Sequence, residues 1–400
     1  MVTMTVRFNP FSADFRRDPY PVYAALREDK PVHKTLGMWV LTRYADVRAV
    51  LLDRGFSAGL IPRLVSQQAD RVSGEDVARI ERLGRKSLVF TDNPEHARLR
   101  GLVNRVFTAP AVAKLRRLVT TIAGDLVDKA LANGGMDAIA DFAAPLPVAV
   151  LCEWMALPSG LREHVTQWTH DIRFLLEPGL MKREDFTRVA AVTERFAHAL
   201  DAVVAARRDQ PGEDLVSQLL AARTGGGDRL RDEEVVFVCI MCFVAGNETT
   251  KALIGNGILA LLRHGARPEP AKAAVGEALR YDSPLQLTKR LATRDTEIGG
   301  TTIRAGEQVL LCLGAANRDP AVFGDPDTFD PGRDTTGHLA FGYGMHGCLG
   351  GLLAGLQAET AFETLFRHEV ALRKQPLEWQ DHSFIVRGLA RLPVSVRSAA

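Results

Sequence analysis

Phe341-Gly-Tyr-Gly-Met-His-Gly-Cys-Leu-Gly-Gly-Leu-Leu-Ala-Gly-Leu-Gln357 is the stretch on which the reading of this 400-residue chain turns. Glycines crowd both sides of Cys348, so the backbone there can take positive φ and approach a flat ligand closely. The apolar pattern just past the cysteine predicts a helix over about 349 to 367. The sulfur then sits at the positive end of that helix, where free backbone N–H groups favour a thiolate. A buried structural cysteine in a Gly-rich turn is the competing reading. A thiolate in an apolar setting is also what a haem iron requires, since electron release from it favours O–O cleavage.

Three other segments work outward from this loop. Glu277-Ala-Leu-Arg280 falls in a predicted helix, Ala271 to Tyr281, where a spacing of three puts both charges on one face. Ala245-Gly-Asn-Glu-Thr-Thr250 lies midway along the longest helical pattern, from Asp232 to about Arg263. A Thr hydroxyl there can bond back to a helix carbonyl, and an acid in an apolar helix is costly to bury without purpose. His96-Ala-Arg-Leu-Arg100 puts two groups at i and i+4 on one face, and Arg forks suit carboxylates. Taken singly, each could be a solvated helix face.

Together the four segments resemble the soluble bacterial cytochromes P-450, and the likeness runs from Asp18-Pro-Tyr-Pro-Val-Tyr23 to the C-terminal extended segments. Ala315-Ala-Asn-Arg-Asp-Pro320 and Phe329-Asp-Pro-Gly-Arg333 carry it through the irregular region. The resemblance implies a mainly α fold with small β-sheets, one domain over 1–400, and haem b (iron protoporphyrin IX) ligated by Cys348. Phe341 and Gly350 belong to the haem loop, and His96, Arg100, Arg290 and His346 would contact the propionates. Ala245 and Thr249 would face the haem, Thr249 would hydrogen-bond iron-bound dioxygen, and Glu248 would feed protons to it through water. Glu277 and Arg280 would lock the core beneath the haem together with Arg333. Substrate contacts are expected from Leu88, Val89 and Phe90, from Met241 and Val244, and from Leu285 and Leu287, with Gln286 as a polar handle. Phe384, Ile385 and Val386 would complete that largely apolar pocket. The chain departs from the pattern between Leu262 and Glu277, where a helix common to the family is expected to be truncated or absent.

Fifty basic against 48 acidic residues leave a net charge of +2, which argues against nucleic-acid binding. No run approaches the ~20 continuous apolar residues of a membrane span. The N-terminus lacks a secretory pattern, so the chain is expected to be cytoplasmic. Cys239 and Cys242 form a CxxC inside an apolar run and read as core thiols. No flavin, nicotinamide or iron–sulfur signature is present, so electrons are expected from a separate ferredoxin and its reductase. Residues 96 to 124 hold Arg98, Arg100, Arg105, Lys114, Arg116 and Arg117 and no acid. By resemblance this is the proximal face where an acidic ferredoxin docks. The expected reaction is O2-dependent hydroxylation of a bulky hydrophobic metabolite in natural-product biosynthesis. Coupling or cyclisation chemistry, and ligand binding without turnover, stay open.

Overall fold

The computed structural model describes residues 7–59, 88–172, 177 and 183–399. Pro178-Gly179, a pair that predicts a helix break, lies outside them. Helices α1 (Ala13–Arg17) and α2 (Tyr20–Asp29) lead to β1 (Val32–Thr35), β2 (Met38–Leu41), α3 (Tyr44–Leu52) and β3 (Phe56–Ser57). Helices then dominate through α4 (Glu95–Val103), α5 (Ala109–Ala113), α6 (Arg116–Ala132) and, after β4 (Met136–Asp137), α7 (Pro145–Trp154). The series continues with α8 (Ser159–Ile172), α9 (Arg183–Asp209), α10 (Leu215–Ala221), α11 (Asp232–His264) and α12 (Ala271–Tyr281). The C-terminal part holds β5 (Leu287–Ala292), β6 (Thr296–Ile298), β7 (Thr301–Ile303), β8 (Gln308–Cys312), α13 (Leu313–Ala316) and α14 (Gly351–Leu365). Strands β9 (Glu369–Leu372), β10 (Glu378–Trp379), β11 (Leu389–Arg391) and β12 (Pro393–Arg397) close the chain. The protein is mainly helical with small sheets, as the sequence implies.

The central helix α11 forms where its ends are well specified. Asp232, Glu233 and Glu234 occupy its positive end, and the Glu234 carboxylate accepts from the Arg231 N–H at 2.8 Å. Gly265 stops it at φ 60°, a left-handed cap that glycine takes without a Cβ penalty. Residues 266–270 hold no helix, so α12 follows directly, in line with the shortened segment seen in the sequence. By length and composition α11 could cross a membrane, which the count of uninterrupted apolar residues does not register. Its apolar surface is used inside the fold instead, against α7, α9, α12 and α14.

The main core surrounds α11, with Phe142, Phe186, Phe196, Phe243 and Phe362 all fully buried. Gly257 lets α14 press against α11, because a Cβ there would stand 2.3 Å from the Phe362 ring. This contact packs the C-terminal part of α11 against the last turn of α14. The largest sheet has the order β1-β2-β8-β5-β3. Antiparallel pairing of β5 with β8, from Leu287↔Cys312 to Leu291↔Gln308, fixes the strand whose Leu287, Thr288, Lys289 and Arg290 all reach the same region.

Candidate functional site

A cavity of about 380 Å3 lies between the middle of α11 and the cysteine loop. Gly342 and Gly344, at φ 65° and 71°, turn the chain into a short 3₁₀ turn over Gly344–His346. The Cys348 N–H then donates to the Phe341 carbonyl at 2.8 Å and closes the loop. The Phe341 ring packs against Gly351, where a Cβ would come within 3.4 Å of it. The Cys348 sulfur is accessible from the cavity while protein surrounds its other sides. Burial pushes its pKa up, against hydrogen bonds from the Gly350 and Gly351 N–H groups and the nearby Arg100. A thiolate so placed has one open side, and a cation approaching there is what would stabilise it.

Four cationic or hydrogen-bonding side chains converge on the same cavity: His96 and Arg100 from α4, Arg290 from β5, and His346 from the loop. The His96 and His346 rings stand 4.3 Å apart, and His346 Nε2 lies 3.7 Å from Asp92 Oδ1. Burial, with His346 and Arg100 beside it, lowers the His96 pKa to about 4. Arg290 falls to about 10 through burial, opposed by Asp92. Both ring nitrogens of His96 and Nε2 of His346 are buried without a hydrogen-bond partner. Buried donors with no acceptor are destabilising, so this wall fits an anionic ligand with several acceptor oxygens. A flat group bearing a metal for the sulfur and two carboxylates for these four residues fits this lining; haem b is such a group.

On the opposite wall α11 contributes Ala245, Gly246, Thr249 and Thr250. Thr249 Oγ1 donates to the Ala245 carbonyl at 2.7 Å, the back-bond anticipated from the sequence. Glu248, expected to feed protons through water, is not itself among the residues that line the cavity. It turns off the cavity wall and meets Lys251 Nζ at 2.5 Å and His382 Nε2 at 3.6 Å. Burial would raise its pKa, but His382 and Lys251 outweigh that and hold it at about 2.

Beneath the site Glu277 and Arg280 are 0% exposed and joined at 2.7 and 2.8 Å. Arg280 also donates to the carbonyls of Asn317, Pro326 and Thr328. Arg333 Nε stands 3.4 Å from Glu277 Oε1, and the Asp330 N–H donates to that oxygen at 2.9 Å. The structure thus brings Glu277, Arg280 and Arg333 into one cluster that ties α12 to the chain leading into the cysteine loop.

Eight of the expected pocket residues line the cavity: Leu88, Val89, Phe90, Met241, Leu285, Leu287, Phe384 and Ile385. Three do not. Val244 is fully buried in the core, because helical periodicity puts Met241, Ala245 and Thr249 on the cavity face and Val244 off its edge. Gln286 points to the other side of the extended chain from Leu285 and Leu287 and donates to the Tyr20 hydroxyl and the Ser283 carbonyl, so it offers no handle to the cavity. Val386 shares that separate recess with Gln286, Phe15 and Arg387. The cavity instead holds two charged residues that the sequence reading missed, Glu177 and Lys289. Lys289 continues the alternation of Leu285 and Leu287, a signal that could have found it. Glu177 carries no local signal. Of the two thiols of the CxxC, Cys239 is in the core, whereas Cys242 lines the cavity.

The basic run also divides. Arg98 is taken up by Glu95, Asp228 and Glu234, Arg116 by Glu359 and Glu363 of α14, and Arg100 faces the cavity. Arg105, Lys114 and Arg117 remain exposed beside the cysteine helix, whose first turn presents Leu352 at 53% exposure.

The chain matches the family Cytochrome P450 over residues 271–388. It is 36% identical to the vitamin D(3) 25-hydroxylase of Pseudonocardia autotrophica over 98% of each chain. Identity to the biotin biosynthesis cytochrome P450 of Bacillus subtilis (strain 168) is 34%, over 98% of this chain and all of that protein (100%). The solved structure of CalO2 is similar with a TM-score of 0.90 at 34% identity, covering 99% of this chain and 100% of that one.

Proposed function

This chain belongs to the cytochrome P450 family and is a haem-thiolate monooxygenase, and on that premise we propose that it hydroxylates an apolar metabolite with electrons from a ferredoxin. Haem b, when bound, supplies the activation of dioxygen. Cys348 holds the iron, and His96, Arg100, Arg290 and His346 hold the propionates. This assignment rests on one observation, the accessible Cys348 sulfur and four convergent donors sharing one cavity beneath Thr249.

Thr249 keeps a hydroxyl proton at the cavity wall, donated to Ala245 O at 2.7 Å and available to a ligand once that bond turns. Glu248, beside Thr249 on α11, is ionised and draws in Lys251 and His382, and in this reading it passes protons toward the cavity through water. Met241, Leu285, Leu287 and Phe384 keep water from the substrate's reacting carbon and favour a bulky apolar molecule. Relatives named for vitamin D(3) hydroxylation and biotin biosynthesis support a role in building or tailoring a metabolite, and one named for polyketide biosynthesis supports secondary metabolism as its setting. Arg105, Lys114 and Arg117, free of ion pairs among the described residues, form the docking face for an acidic ferredoxin. We place the enzyme in the cytoplasm.

The deciding experiment is the carbon monoxide difference spectrum of the dithionite-reduced protein. The long-wavelength Soret band of a thiolate-ligated carbonyl, absent in Cys348→Ala, is the expected result. A histidine-type band, or no haem, would overturn the reading.

A further inference from the structure

We propose that Lys289 selects substrates that carry a carboxylate. The inference rests on the reading of this cavity as the substrate chamber of a haem enzyme.

Lys289 and Arg290 are neighbours on β5, and the strand's period of two sends them to opposite faces. Arg290 Nη1 shares its face with Thr288, donating to Oγ1 at 3.3 Å, and belongs with His96 and His346. Lys289 faces the other way. Its Nζ lies 5.4 Å from the centroid of the Phe384 ring, among the apolar walls that Leu285, Leu287 and Ile385 provide. Lys289 is therefore not a further propionate contact. Among the described residues no carboxylate stands within ion-pair distance of it.

Glu177, the other charged residue on the wall, is already engaged. Its Oε1 accepts from the N–H groups of Phe384 at 3.0 Å and Ile385 at 3.3 Å, and its Oε2 from the Ser383 hydroxyl. That carboxylate pins the 383–385 turn and leaves the ammonium of Lys289 with unfilled donors in a chamber otherwise poor in acceptors. Burial pulls the lysine's pKa down and Glu177 only partly offsets it. An ammonium so placed is costly until an anion joins it, and a ligand carboxylate supplies the charge and the acceptor oxygens together.

The test uses ferric holoenzyme and three twelve-carbon probes: dodecanoic acid, methyl dodecanoate and dodecyltrimethylammonium, a cation that cannot ligate iron. Binding is read both from the Soret shift and from the rise in melting temperature, which needs no haem. The acid should bind more tightly than the ester by about tenfold, the value of one charge-assisted hydrogen bond. Lys289→Met should remove that advantage, leave the ester's affinity within about twofold, and keep the carbon monoxide band of the wild type. Equal binding of acid and ester, tighter binding of the quaternary cation, or an acid preference that survives in Lys289→Met would overturn the inference. A wild type without the thiolate carbonyl band would instead overturn the haem reading, while the melting shifts still decide the role of Lys289.

Discussion

Arg280→Met tests how the haem loop is held. The arginine and Glu277 are both fully buried, so the substitution leaves a carboxylate with only the Asp330 N–H and Arg333 to answer its charge. Removing one member of a buried ion pair costs about 3–5 kcal/mol. The carbonyls of Asn317 and Pro326 also lose donors at 3.1 and 2.8 Å, while Thr328 keeps one from Arg333. Two unsatisfied acceptors add roughly 1 kcal/mol or more each. The total is about 6 kcal/mol, comparable to the whole 5–15 kcal/mol that keeps a domain folded. The damage falls on the segment 317–333, directly before the cysteine loop, so haem retention fails with the fold. Urea unfolding followed by tryptophan fluorescence, and the carbon monoxide band per milligram of soluble protein, measure the two effects. Arg280→Met should give little soluble protein, a large drop in urea midpoint and under a tenth of the wild-type band on the scale set by that energy. A variant with the wild-type midpoint and a full band would refute the reasoning, because it would mean that the buried charge of Glu277 is met by groups other than Arg280.

Thr249→Ala should lower product formation by about 10²-fold, the low end for a positioned proton donor, while oxygen uptake continues and peroxide appears; unchanged coupling of oxygen to product would count against the role of the hydroxyl. Glu248 is held at about pKa 2 against an ordinary 4.5, so its ionised form stabilises the fold above pH 4.5 and that contribution is lost as pH falls toward 2. Lys251→Met should therefore lower the urea midpoint at neutral pH, with the gap to wild type narrowing below pH 4.5; a gap independent of pH would place the effect elsewhere. Lys114→Glu combined with Arg117→Glu should slow reduction by a ferredoxin by about tenfold at low ionic strength, less at high salt, with substrate affinity unchanged. Stopped-flow reduction across a salt series decides this, and a rate insensitive to the substitutions would move the docking face.

Much of the site is legible in the sequence because its parts are local. The cysteine loop, the Glu277–Arg280 spacing, His96 with Arg100, and Ala245 with Thr249 are each fixed by a few residues of backbone geometry. A spacing of three or four along a helix holds wherever the helix lies, and helix N-terminal donors reach a cysteine just before them in any surroundings. The fold class followed from the family resemblance that these segments carry.

The tertiary structure decided which charges are free and which faces are used. Arg98 and Arg116 read as part of a basic run, yet acids far along the chain claim both. Glu248 reads as a feeder of protons through water, and His382, brought in by the C-terminal turn, joins Lys251 beside it. Val244 and Gln286 belong to the right segments but point away from the cavity, while Glu177 and Lys289 reach it. The physical reason is common to all of these. Spacing specifies what a residue can do within its own turn of helix or stretch of strand. Its partner and exposure depend on which distant segments pack against it, and that is settled by the burial of the apolar core as a whole.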